Sequence, residues 1–191
     1  MAEPLEDAVD SSNKKVALII AILALFLALA EAGAKNAEHR STEQNIESSD
    51  LFNFYQAKKV RSTIAETAAQ ALEAERVAST DPKAQEALEK QIGDWKAVVA
   101  KFEKDPKKPE DSLEALQERA NAAAEGRELS NRKLEHFEFA SGALQIAIVL
   151  ASAAIITGMT VLAWFAAGLG AIGAVLMAFG YLAPTVLGFL G

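Results

Sequence analysis

Apolar and polar positions along this chain are segregated into blocks, not interleaved as in a soluble domain. Val16–Ala30 (VALIIAILALFLALA) contains no charged residue, and neither does the 52-residue stretch Ala140–Gly191. Almost all the charge lies between them, from Glu31 to Glu138. A helix rises about 1.5 Å per residue, so the C-terminal block is long enough for two passes through a hydrocarbon layer of about 30 Å. The first block covers only about 22 Å as a helix and needs the following Glu-Ala-Gly-Ala to complete a crossing over 16–34. Within the second block the pattern predicts one crossing over 141–165, with Trp164 and Phe165 placed as interfacial anchors, and another over 170–190. A short Ala166–Gly170 turn between them would make the two crossings antiparallel neighbours.

The charged middle, 35–140, reads as helix with almost no strand signal. Two breaks interrupt it. Ser79-Thr-Asp-Pro82 is a stop–start, with Asp81 as cap and Pro82 at the first helical position, and Asp105-Pro-Lys-Lys-Pro-Glu-Asp-Ser112 is a second break, a kink over 105–111. Beyond each break apolar residues recur at alternating spacings of three and four. Leu88, Ile92, Trp95, Val99 and Phe102 form one seam. Leu113, Leu116, Ala120 and Ala123 form the other, whose register continues through Arg127, Ser130, Leu134 and Phe137 to Ser141 and Leu144. Such seams belong to helices packed side by side. As one helix, Glu31–Ser79 would be about 73 Å long, nearly the summed length of the two return pieces at about 35 Å and about 46 Å. The expected fold is therefore an all-α membrane protein: three crossings, with a long antiparallel hairpin stalk between the first and second, its tip at 79–82. Counting back from that tip brings Phe52, Phe54 and Tyr55 opposite Phe102 and the kink. A compact three-helix bundle is the alternative, and it requires the outgoing helix to break at Ser48-Ser49-Asp50.

Small residues recur at helical spacing inside the crossings. Ala17, Ala21, Ala24 and Ala28 share one side of the first, and Ala166, Gly170, Ala174 and Ala178 fall every fourth residue at the start of the third. Both sets would let another helix approach closely. Residues 1–15 carry Glu3, Glu6, Asp7 and Asp10 ahead of Lys14–Lys15 and are expected to form an acidic, disordered tail. The same start admits a signal-peptide reading, with Ala28-Leu29-Ala30 as the cleavage site, but a signal peptide wants net positive charge where this segment is acidic.

Composition narrows the chemistry. There is no cysteine, which excludes disulfides, thiolate metal sites and a cysteine nucleophile. The net charge of −7 leaves no segment basic enough for nucleic acid. His39 and His136 are the two histidines; with neighbouring glutamates they could in principle approach a metal, but exposed residues beside the membrane are the plainer reading. From Ala140 on no Asp, Glu, Lys, Arg or His is available for a proton path, and Gln145 is the most polar group there, suited to bonding a neighbouring helix. Gln56, Lys58, Lys59 and Arg61 beside the aromatics Phe52, Phe54 and Tyr55 form a candidate partner patch, although a solvated helix face would look the same. Gly168-Leu-Gly170-Ala-Ile-Gly173 has dinucleotide-loop spacing but no preceding strand. No catalytic residue, metal, cofactor or small-molecule substrate is expected.

Several stretches resemble one family. They are Asn13–Glu31, Leu51-Phe-Asn-Phe-Tyr-Gln-Ala-Lys-Lys-Val-Arg61, His136-Phe-Glu-Phe-Ala-Ser141 and Gln145–Gly158. Together they are similar to a bacterial membrane family known as domain of unknown function 4337, the Phe-Tyr-Gln-Ala-Lys block being the most specific. The resemblance implies a bacterial inner-membrane protein with one N-terminal and two C-terminal crossings, and brings no activity with it. The resulting expectation is a non-enzymatic scaffold or adaptor in the bilayer, a homo-oligomer or a subunit of a larger complex. The alternative is a small channel, or an accessory subunit of a transport or respiratory complex, lined by Ser141, Gln145, Ser152, Thr157 and Thr160. Five cations near the membrane on the stalk side (Lys35, Arg40, Arg127, Arg132, Lys133) against Lys14 and Lys15 favour a cytoplasmic stalk.

Overall fold

The computed structural model describes the backbone of residues 3–186 and the side chains of residues 14–186. Among these residues the chain is all helical: α1 (Glu3–Ala78), α2 (Pro82–Glu103), α3 (Leu113–Thr157) and α4 (Thr160–Leu182), with one 3-10 turn at Pro109–Asp111. No strand occurs among them. α1 runs unbroken through Ser48-Ser49-Asp50, and its backbone is already helical from Glu3. The acidic leading segment is thus drawn into the first helix where a disordered tail was expected.

Local chemistry explains where the helices stop. Asp81 is extended, its carboxylate accepts a hydrogen bond from the Lys83 amide at 3.0 Å, and Pro82 opens α2. Gln85 donates to the Ser79 carbonyl at 2.7 Å, tying the new helix to the turn. After α2, the Asp105 carboxylate accepts from the Lys107 amide at 2.9 Å, and the 3-10 turn follows. The Ser112 hydroxyl then accepts from the Ala115 amide at 3.2 Å and caps α3.

The break between the last two helices corrects the sequence reading. It lies at Gly158–Met159, not at 166–170. Gly158 has φ +67°, the left-handed conformation that costs glycine least. The Thr157 hydroxyl donates to the Ala153 carbonyl at 2.7 Å, and the Met159 amide reaches back to that hydroxyl at 3.4 Å. Ala166–Gly170 is helical, inside α4. The expected extension of the third crossing to residue 190 passes outside the described residues.

Contacts divide the chain into two units, residues 1–42 with 126–191, and residues 43–125. In the first, three helices are long and apolar enough to cross a membrane, which makes this a membrane protein by length and composition. Its core is built from Leu23, Ala30, Ala37, Phe137, Ala140, Leu144, Ala147 and Met177. Half of these are alanine, while large side chains such as Leu25, Val149, Trp164 and Phe165 lie on the outside. That distribution suits a hydrocarbon solvent: lipid gives no hydrophobic drive for association, so small residues take the contacts and bulky ones face the tails. Ser41 donates to the Asn131 side chain at 2.5 Å, joining α1 to α3.

In the unit 43–125 the core follows Ser62, Ala65 and Ala69 of α1, Ile92 of α2, and Leu113, Leu116, Ala120 and Ala123 of α3. Ser48 donates to the Ala120 carbonyl at 3.0 Å, and the Lys58 ammonium to the Asp111 carbonyl. Trp95, placed by its spacing at the centre of the α2 seam, is 39% exposed, and Ile92 at 4% takes the centre.

Candidate functional site

The small-residue positions separate into two groups. Ala17, Ala21, Ala24 and Ala28 are all exposed. Within the unit α1 packs through the other side, along Leu23, Ala30, Gly33 and Ala37. On α4, Ala166 and Gly170 are buried, Ala174 is half-buried and Ala178 is exposed. The buried line continues instead through Gly173, Met177 and Gly180. Fourfold spacing rotates about 40° per step on a 3.6-residue helix, so a 4-4-4 ridge winds off the contact face, whereas 4-3-4-3 stays on it. Each buried glycine has a definite neighbour. A Cβ on Gly170 would strike Leu23. One on Gly173 would lie 2.8 Å from Leu144 Cγ and 3.1 Å from the Ala140 carbonyl oxygen. Gly173, Gly180 and Gly33 are contact residues that the spacing argument missed; a glycine inside a strongly apolar helix was the available signal.

The densest polar and aromatic arrangement lies where the apolar segments end. Phe137 is buried, with bare glycine on two sides: a Cβ on Gly33 would come within 2.7 Å of its ring and one on Gly180 within 3.0 Å. Its ring meets Tyr181 edge-on at 4.7 Å, and the Tyr181 hydroxyl donates to the Leu29 carbonyl at 3.3 Å. These contacts fasten α1, α3 and α4 together at one level. His136, expected at an exposed site, is only 4% exposed. Its Nε2 lies 3.2 Å from the Pro184 carbonyl oxygen, and its ring is 6.5 Å from Phe179. It is covered because the chain beyond α4 folds back over it. Gln145 directs its amide to the Glu31 carboxylate of α1 at 3.5 Å. His39 is exposed on α1, and no three His, Asp or Glu side chains converge on a metal position among the described residues.

Beside this level a cavity of about 370 Å³ opens, lined by Arg40, Lys133, Asn36 and Ser130 on its polar side and by Phe137 and Tyr181 on its apolar side. No carboxylate lines it among the described residues.

In the unit 43–125 the aromatic patch is largely on the surface. Phe52 and Phe54 are exposed, Tyr55 is half-buried, and Gln56 and Arg61 are exposed. The Phe52 and Tyr55 rings lie nearly parallel at 6.1 Å, and the Lys58 ammonium sits 5.5 Å above Phe54. Tyr55 and Lys59 share an open groove with Glu103, Leu113 and Glu114. Farther along α1, Arg76 bonds Glu73 at 2.7 Å. That hydrogen bond holds the Glu73 carboxyl below its ordinary value and raises Arg76 above its own.

The family model described as Domain of unknown function (DUF4337) matches residues 12–183, most of the chain. The chain belongs to this family. The DUF4337 match takes in all three apolar helices and the whole of residues 43–125. No curated protein and no solved structure matches the chain.

Proposed function

We propose that this DUF4337 protein is a non-enzymatic scaffold of the bacterial inner membrane, self-associating through its apolar helices and presenting residues 43–125 to a partner as an antiparallel helical stalk. The observation that carries the reading is the exposed alanine side of α1, Ala17, Ala21, Ala24 and Ala28. Alanine side chains along that side let a second helix approach closely. The Ser48–Ala120 and Lys58–Asp111 hydrogen bonds favour the hairpin reading of the stalk. The non-enzymatic part rests on sequence, which carries no phosphate loop, serine elbow or paired-carboxylate cleft.

Cross-linking in the membrane and mass measurement after mild detergent extraction test it. Ala24→Leu should insert normally and lose the multimer, because a bulky side chain then stands on the strip. An unchanged multimer would mean that the strip faces lipid. The Glu31–Gln145 contact favours a second reading, a small channel or transport subunit, since it sets a carboxylate against an apolar crossing. Ion flux through the purified protein in liposomes would select that reading over the first.

A further inference from the structure

The cavity beside Phe137 is the polar feature of the membrane unit that self-association leaves unused. Its two cations, Arg40 from α1 and Lys133 from α3, form no ion pair among the described residues. Two unneutralised cations facing one cavity with no carboxylate on its wall create a local positive potential that an anion can satisfy. Asn36 on the same wall adds a hydrogen-bonding amide, and cations beside such a donor recognise phosphate oxygens.

The opposite wall is apolar and fixed. Phe137 cannot retreat, because Gly33 and Gly180 clasp its ring, and Tyr181 is held by its bond to the Leu29 carbonyl. The site also stands at a defined depth. Lys133 precedes the charge-free stretch by about two helical turns, and Tyr181 closes α4. Cations on the polar side and a tyrosine at the apolar margin match the headgroup layer of a bilayer. A free anion would need the cations alone; an amphiphile uses both walls.

We propose that this cavity binds an anionic phospholipid, its headgroup phosphate between Arg40 and Lys133 and its glycerol end against Phe137 and Tyr181. Basic pockets between crossing helices hold lipid headgroups by this combination of charge and depth. The site joins α1 to α3 through the lipid, so occupancy steadies the membrane unit whatever the stalk contacts.

Native mass measurement of the full chain in mild detergent tests the proposal, with phosphatidylglycerol, phosphatidylcholine and inorganic phosphate as separate probes. The wild-type chain should retain phosphatidylglycerol over phosphatidylcholine. Arg40→Gln with Lys133→Gln should weaken that retention on the order of tenfold. Lys35→Gln, on the same helix but off the cavity wall, should leave it unchanged. Arg40→Gln alone, at an exposed helix position, should give an intermediate loss with unchanged helical circular dichroism. Equal retention of the two lipids would overturn the site. So would an equal loss in Lys35→Gln, which would assign the preference to diffuse surface charge. Displacement of the lipid by millimolar inorganic phosphate would reassign the cavity to a free anion and overturn the lipid.

Discussion

Gly173 and Gly168 lie five positions apart on one apolar helix, and adding a methyl group to each should have opposite consequences. At Gly173 the new Cβ would press on Leu144 Cγ and on backbone at Ala140, neither of which can swing aside. Overpacking of that kind costs about 1–3 kcal/mol. At Gly168 nothing lies within 4 Å, so Ala there should be neutral or gain up to about 1 kcal/mol in helix propensity. Thermal unfolding in detergent, followed by helical circular dichroism, should rank Gly168→Ala at or above the parent chain and Gly173→Ala below it. The same reasoning reverses an expectation drawn from spacing. Ile92 at 4% exposure should lose about 2–5 kcal/mol on truncation to Ala, while Trp95→Ala should cost under about 2 kcal/mol, its ring being partly in solvent. If Trp95→Ala proves the more damaging variant, the indole is covered by a partner and the seam reading returns.

At the scale of elements, legibility depended on whether the residue types had one local meaning or two. Asp81-Pro82 has one: a carboxylate that can cap and a ring that can only begin a helix, so the boundary could be read directly. The α3 seam of Leu113, Leu116, Ala120 and Ala123 was equally readable, because apolar residues at alternating three and four spacing in a charged segment have few other uses. Glycine in an apolar run has two meanings. Gly168 and Gly170 resembled a turn and lie within α4, Gly168 exposed and Gly170 buried against Leu23, while Gly158, which makes the turn, stands alone beside a threonine. His136 was misread because its cover comes from Pro184, far along the chain and absent from any local pattern. The end of α1 carries a pH-dependent element as well. Arg76 depresses the Glu73 carboxyl, so the pair's contribution is complete above the ordinary value of 4.5 and disappears as pH falls through the lower folded value. Both side chains are partly exposed to solvent, and the effect should be small. Glu73→Gln should remove it, so that the parent and variant chains differ in melting temperature near neutral pH and converge once the pH has fallen through the lowered Glu73 value.

For the whole molecule the open quantity is which side of the membrane residues 43–125 occupy. Lys35, Arg40, Arg127, Arg132 and Lys133 lie near the apolar segments on that side, and Lys14 and Lys15 lie at the other end of the first segment. Positive residues close to membrane segments are retained in the cytoplasm, so the five outweigh the two. The lipid cavity adds an argument of the same sign. Arg40 and Lys133 would meet an anionic headgroup, and in the cytoplasmic leaflet such headgroups strengthen the retention. Thr80 offers a direct test, being exposed in the turn between α1 and α2. The chain has no cysteine, so Thr80→Cys introduces a single thiol without background. A membrane-impermeant maleimide should leave it unmodified in intact cells and modify it after the membrane is opened. A second cysteine in place of Ser12, ahead of Lys14, should show the opposite pattern. Labelling of Thr80→Cys in intact cells would put residues 43–125 outside, and the cations around the cavity would then answer to the outer leaflet.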